Sequence, residues 1–210
     1  MSGSRTRLIL VRHGRTAWNQ QARFQGQTDV PLDAVGREQS RRVAERLAAD
    51  VLYASDLQRA RASAEIIARP LGLPARASPT LRERSYGRWE SLTPPEVKER
   101  FPESWEEWRA QPDTHRPPGG EQMSEMTARV AAQLEALLAR HAGCRVLVVS
   151  HGGPIKSALM HFLGLPMSHR RRFEVHNASF SVLSFGGGRP VLEALNDTCH
   201  LSAPSDEWEA

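Results

Sequence analysis

Two uninterrupted apolar runs stand out in an otherwise polar chain: Leu8 to Val11, framed by Arg7 and Arg12, and Val146 to Val149, framed by Arg145 and Ser150. Both are too short for helices and rich in β-branched residues, so each predicts a strand buried on both faces. Each run ends in a His-Gly pair, His13-Gly14 and His151-Gly152-Gly153. A glycine directly after a strand predicts a tight loop, and Pro154 is a favoured first-turn residue for a helix over Ile155 to Leu163.

Between the two runs the apolar positions recur at helical spacing. Asp33 is placed to cap a helix carrying Val43, Leu47 and Ala48, and Ser55 or Asp56 to cap another with Leu57, Ala60, Ala64 and Ile67 on one face. Thr93-Pro94-Pro95-Glu96 has capping-box spacing with proline at the first helical position, which predicts a short helix stopping before Pro102. Met126, Val130, Leu134, Leu137 and Leu138 mark a longer amphipathic helix ending near Gly143. Buried strands alternating with amphipathic helices predict an α/β fold, three layers deep (α/β/α), around a mostly parallel central sheet. In such sheets the carboxyl ends of the strands form the ligand crevice, so both His-Gly loops are expected to meet there.

The 210 residues suit one domain over 1–210. Phe101 to Gly120 lacks a clean period and reads as part of an irregular insertion at about 92–120 that covers the site. Late in the chain, Phe180 to Phe185 and Val191 to Leu195 read as strands, either ordinary sheet members or edges through which two copies pair as a homodimer.

No stretch reaches eighteen apolar residues, and Met1 to Arg7 has no apolar core of signal-peptide length, so a cytoplasmic protein without membrane contact is expected. Cys144 and Cys199 have neither metal-ligand nor disulfide-framework spacing and read as ordinary thiols. The net charge is +4, and Lys98 and Lys156 are the only lysines, so the positive charge is almost all guanidinium. Acidic residues are interspersed, and the one dense basic run, Arg170-Arg171-Arg172, reads as a solvated loop; no nucleic-acid partner is expected.

Arg12-His13-Gly14 puts a cation, an imidazole and a flexible backbone position at a strand end, a plausible cradle for a phosphate. A neutral imidazole nitrogen attacks phosphorus when its other nitrogen is held, and flanking guanidinium groups bind the dianion. Three residues alone are a weak signal, and a lone strand-end histidine also reads as a hydrogen-bonded structural residue.

The longer string Leu10-Val11-Arg12-His13-Gly14-Arg15-Thr16-Ala17-Trp18-Asn19 resembles the hallmark of the histidine phosphatase superfamily, also called the phosphoglycerate mutase-like family. The resemblance continues through Phe24 to Leu32, Ser55 to Ala60, Leu81-Arg82-Glu83 with Gly87 to Glu90, and Ser150 to Gly153. It implies that His13 is the phosphorylated nucleophile, that Arg12, Arg59 and His151 line the phosphate pocket, and that Glu83 is the acid for the leaving alcohol and then the base for water. Arg59 on its own also reads as an exposed helix arginine, and Glu83 as a solvated one. By the same resemblance Asn19, Gln25 and Gly26 help enclose the phosphate or the substrate tail, and Tyr86 and Gly152 join them at the substrate. Thr16 either donates its hydroxyl to phosphate or caps a helix or turn. The remaining histidines, His115, His141, His161, His169, His176 and His200, match no catalytic block and read as surface or cap residues. No carboxylate or cysteine stands at ligand spacing beside His13 or His151, so a reaction without metal or cofactor on a small phosphorylated substrate is expected.

Two branches of the family meet in one block. Glu83-Arg84-Ser85-Tyr86-Gly87 looks like the mutase form, and Gly87-Arg88-Trp89-Glu90 like the phosphatase form. Ser63, Ser91 and Gln122 stand where the family usually has Thr, Gly and Ser. The mutases place extra cations in a longer insertion between the acid and the second histidine, whereas here that stretch is short and Arg116 to Glu121 resembles the phosphatases, which favours hydrolysis. A bisphosphoglycerate-dependent mutase and a non-catalytic phospholigand binder are the alternatives. Phe101, Trp105 and Trp108 form either an apolar wall for the substrate or the insertion's own small core.

Overall fold

The computed structural model describes residues 5–201. Expectations about residues 1–4 and 202–210, including the start of the segment Met1 to Arg7 and the ends of the domain, lie outside that span.

Six strands form one sheet: β1 (Thr6–Arg12), β2 (Val51–Ala54), β3 (Ala75–Ala77), β4 (Arg145–Ser150), β5 (Phe180–Phe185) and β6 (Val191–Asp197). Their order is β3-β2-β4-β1-β5-β6, with β3, β2, β4 and β1 mutually parallel and β5 and β6 antiparallel. The two uninterrupted apolar runs are the two neighbouring central strands. Alternate side chains of each run face opposite layers, which is why the runs contain no polar position. Leu8, Leu10, Val146 and Val148 pack against α6 (Met123–Arg140) and α7 (Gly152–Leu163). Ile9, Val11, Leu147 and Val149 pack against α2 (Ala34–Arg46) and α3 (Gln58–Leu71). The result is the three-layer α/β/α arrangement expected from the alternation.

Several boundaries differ from expectation. Asp33 does cap α2, its carboxylate accepting from the Gly36 nitrogen at 2.7 Å, but the helix ends at Arg46, so Leu47 is its C-cap and Ala48 lies outside. Neither Ser55 nor Asp56 caps α3; Leu57 holds that position, and the Gln58 nitrogen donates instead to Asp29 at 2.6 Å. Helix α7 starts at Gly152, two residues before Pro154.

The segment expected to be irregular is largely helical. After α4 (Pro94–Arg100), capped by Thr93 as expected, α5 (Pro102–Ala110) starts at the very proline read as a stop. Proline at the first helical position forfeits no internal hydrogen bond, so it ends one helix and opens the next. Trp105 and Trp108 on α5 pack with Phe101, Phe24 and Tyr86 around buried Trp89, Leu92 and Val97. The basic run also departs from a solvated loop: Arg170 is buried in a 3-10 turn (Met167–Arg172) and pairs with Asp113. His115 is no surface residue either; its ring stacks on Trp89 with centroids 5.6 Å apart, and its side chain is 7% exposed.

Among the described residues, no helix is long and apolar enough to cross a membrane.

Candidate active site

Register brings the two histidines together. Arg12 on β1 pairs with Ser150 on β4, so the next residue of each strand, His13 and His151, emerges at the same carboxyl end. The His13 nitrogen donates to the Ser150 carbonyl at 3.0 Å, and the two imidazole centroids are 5.1 Å apart. Both side chains are buried, His151 completely.

His13 Nδ1 lies 2.7 Å from the carbonyl oxygen of Gly14. A carbonyl can only accept, so Nδ1 carries the ring proton and Nε2 is left with its lone pair free. Burial, then the charges of Arg59 and Arg12, push the His13 pKa well below the ordinary imidazole range. The same causes, burial foremost, hold His151 neutral as well. A neutral ring with Nδ1 occupied is the form a nucleophile requires.

Arg12 and Arg59 are fixed by backbone oxygens. Arg12 Nη1 donates to Val175 O at 2.6 Å, while Arg59 Nη1 and Nη2 donate to Thr28 O at 2.9 Å and Gly26 O at 2.6 Å. Burial lowers the pKa of both, that of Arg59 to about 10, which leaves Arg59 charged at neutral pH. Arg12 Nε, Arg59 Nε and both ring nitrogens of His151 are buried without any hydrogen-bond partner. Buried polar groups are nearly always satisfied, so four orphans around one histidine mark the place of a ligand.

A small cavity of about 160 Å³ lies among these groups, lined by Arg12, His13, Asn19, Gln25, Gly26, Arg59, Glu83 and Tyr86, together with Arg23 and Phe24. Of the residues singled out from sequence, His151 lies against the His13 ring without lining this cavity, and Thr16 is not brought there. It is fully buried as the N-cap of α1 (Ala17–Gln20), accepting from the Asn19 nitrogen and donating to Gln25 Oε1, so the capping alternative is the observed one. Gly152 faces a second, adjoining cavity instead, against Arg12.

Glu83 reaches the cavity from the loop after β3. Its Oε1 accepts from the Arg84 nitrogen at 2.8 Å and its Oε2 from the Gly153 nitrogen at 3.1 Å. Tyr86, packed on Phe24 with centroids 4.9 Å apart, has its phenol pKa pushed up to about 12 by burial and then by the Glu83 charge, so its hydroxyl remains a donor.

Four supporting residues were not identified from sequence. Glu90 accepts from the nitrogens of Gln27, Thr28 and Tyr86 and from the Thr28 hydroxyl, at 2.5 to 3.1 Å, tying the Gly26 loop to the Glu83 loop. Arg129 donates to the carbonyls of Thr80, Arg82 and Glu83 and pairs with Glu121. Asn177 Nδ2 donates to His13 O at 3.1 Å. Ser63, noted only as a departure from the family pattern, accepts from the Gly14 nitrogen at 3.0 Å.

The adjoining cavity, of about 670 Å³, meets the small one at Arg12 and Tyr86. Cations beyond the phosphate pocket, which the short stretch from Glu83 to His151 led us not to expect, are present there. Arg84 and Arg109 come from that stretch, and Lys156 on α7, Arg170 and Arg171 from beyond it. Among the described residues no three His, Cys, Asp or Glu side chains gather as a metal-ligand set.

Comparison with known proteins agrees with this geometry. The "Probable phosphoglycerate mutase GpmB" of Yersinia enterocolitica is 37% identical over 94% of this chain and 96% of its own. "Phosphoserine phosphatase 1" of Hydrogenobacter thermophilus is 35% identical over 93% of this chain and 94% of its own. Among solved structures, a phosphoserine phosphatase of Entamoeba histolytica in complex with 3-phosphoglyceric acid superposes with a TM-score of 0.85 at 28% identity, covering 94% of this chain and all (100%) of that one. The family model for branch 1 of the histidine phosphatase superfamily matches residues 8–198, and the chain belongs to that superfamily.

Proposed function

We propose that the protein is a phosphomonoester hydrolase that acts through a phosphohistidine on a small phosphorylated metabolite, without a metal. The observation that carries this reading is the set of four unpartnered buried nitrogens on Arg12, Arg59 and His151, arranged around a neutral His13. Phosphate oxygens accept from the Nε–H groups of Arg12 and Arg59 and from the one ring N–H of neutral His151, and the two guanidinium groups spread the charge that grows on the equatorial oxygens. In the first step, His13 Nε2 forms a bond to phosphorus as the ester P–O bond breaks, and protonated Glu83 gives its proton to the departing alcohol oxygen. In the second step, Glu83, now a carboxylate, takes a proton from water; the water oxygen bonds to phosphorus, the N–P bond breaks and inorganic phosphate leaves. Gly14 O holds Nδ1–H throughout and keeps the ring in the attacking tautomer.

The test is phosphate release from p-nitrophenyl phosphate with chelator present. The native protein is expected to turn it over, and His13→Ala to fall by at least about a thousandfold, since the nucleophile has no substitute. Turnover that survives in His13→Ala overturns the mechanism.

A second reading, a bisphosphoglycerate-dependent mutase, is favoured by Lys156 and Arg171 in the adjoining cavity, because a bisphosphate held and turned within the site needs cations at both ends. It requires interconversion of 2- and 3-phosphoglycerate that stops when bisphosphoglycerate is withheld.

A further inference from the structure

The 670 Å³ cavity beside the phosphate pocket is lined by Arg12, Arg84, Lys156, Arg170, Arg171 and Arg109, with Tyr86, Trp108, Met123 and Val175 between them, and no carboxylate faces it. Most of these cations are already engaged. Arg84 donates to the carbonyls of Glu121 and His115, Arg170 pairs with Asp113, and Arg109 pairs with Glu106. Two are not. Among the described residues Lys156 has neither a hydrogen bond nor an ion pair, and Arg171 has only the Trp108 ring, 5.6 Å from its guanidinium carbon.

Lys156 is held facing the cavity by helical geometry. It follows Gly152 and Gly153 by four and three residues on α7, which places all three on the face that borders the cavity. Burial, and next the charge of Arg12, lower its pKa, and the nearest acids acting on it are Glu83, held by the Arg84 and Gly153 nitrogens, and exposed Glu174, paired with His176. A half-buried ammonium without a counter-ion, sharing one cavity with an exposed guanidinium that touches only the Trp108 ring, is an arrangement that a bound anion stabilises. The volume matters too: it lies within the range of about 300–1,000 Å³ typical of sites that enclose a whole small molecule, and far exceeds the phosphate pocket.

We propose that this cavity is a second-anion subsite, in which Lys156 and Arg171, backed by Trp108, hold a carboxylate or second phosphate carried by the alcohol portion of the substrate. The proposal rests on the reading of the His13 cavity as the phosphate site, and it makes Lys156 and Arg171 specificity-determining residues. It defines the substrate class as phosphomonoesters with two separated anionic groups.

The experiment compares kcat/KM within two matched pairs, 3-phosphoglycerate against glycerol 3-phosphate for a carboxylate, and fructose 1,6-bisphosphate against fructose 6-phosphate for a phosphate. In the native protein the two-anion member of at least one pair is expected to be preferred by about tenfold or more, and which pair shows it identifies the second anion. Lys156→Met and Arg171→Ala should each cut that preference about tenfold, mainly through KM, and Lys156→Arg should restore part of it. Equal turnover within both pairs, or a preference that survives both substitutions, overturns the subsite. If the native protein hydrolyses nothing, p-nitrophenyl phosphate included, hydrolysis is what fails. The subsite is then read by calorimetric binding of fructose 1,6-bisphosphate, which Lys156→Met must weaken about tenfold for the proposal to stand.

Discussion

The Glu83 carboxylate and the Gly153 backbone nitrogen lie 3.1 Å apart, so the residue assigned the proton is anchored on the first turn of the helix that starts behind His151. A Cβ built on Gly153 would overlap Glu83 Oε1 and press on Met126 Sδ, the first being the free end of a side chain that can swing aside.

Gly153→Ala therefore separates function from folding. The backbone there is helical, and alanine is the better helix former by about 1 kcal/mol, so the unfolding midpoint should hold or rise slightly. The kcat for phosphate release should fall about tenfold or more as the carboxyl group is displaced. Unchanged kcat with a displaced Glu83 would remove Glu83 from the proton-transfer role.

The buried neutral histidines make stability depend on pH in a definite direction. Both have folded-state pKa values well below 6.5, so below pH 6.5 the unfolded chain binds protons that the folded one refuses. Stability should be flat with respect to these two groups above that pH. Below it, stability should fall by up to about 1.4 kcal/mol per pH unit for each histidine. Urea titrations between pH 7 and 5 check this, and His13→Ala should make the slope shallower. For the same reason the acid limb of kcat/KM, corrected for substrate ionisation, should not bend at 6.5.

Gly26 and Glu90 form a second coupled pair. Gly26 has φ near +51°, and a Cβ on it would overlap the Glu90 carboxylate. Gly26→Ala is expected to cost about 2–4 kcal/mol from left-handed strain and steric conflict. It should also weaken phosphate binding, because Gly26 O is a fixed acceptor for Arg59. Glu90→Ala leaves the Gln27 and Tyr86 nitrogens and the Thr28 hydroxyl unanswered, the Thr28 nitrogen keeping Gln25 O, and should cost about 3 kcal/mol, with a matching loss of phosphate affinity measured by calorimetry.

Trp89 is fully buried, yet its indole nitrogen has no partner. Trp89→Ala should cost about 3–5 kcal/mol through the cavity it leaves. Trp89→Phe removes the unsatisfied N–H along with part of the ring and should cost less than about 1.5 kcal/mol. Thermal unfolding of the two variants distinguishes packing from polarity at this position.

What the sequence made legible follows from the range of each interaction. The two central strands and their His-Gly ends could be read because a strand buried on both faces must be apolar throughout, a local property. Helix α5 was missed because Pro102 reads as a stop in isolation, and only its packing against Trp89 shows it as a start. The cap of α3 was misplaced because the acceptor, Asp29, lies 29 residues before Gln58. Glu90 appeared only as part of a motif; its partners Gln27 and Thr28 are 63 and 62 residues away in the chain. Lys156 and Arg171 were visible as charges, but their lack of counter-ions becomes apparent only once the cavity is formed.

The pairing of β1 with β4 joins Arg7 to Arg145 and Arg12 to Ser150, segments separated by most of the chain. No shorter fragment that omits either strand can place His13 beside His151, and a one-residue slip in this ladder would turn every side chain of one strand toward the wrong layer. Assembly of the reactive centre is thus tied to one of the longest loop closures in the molecule, the kind of contact that forms slowly. During refolding from denaturant, helix signals from α2, α3 and α6 should recover before turnover does, which makes enzymatic activity itself the clock for the last act of folding.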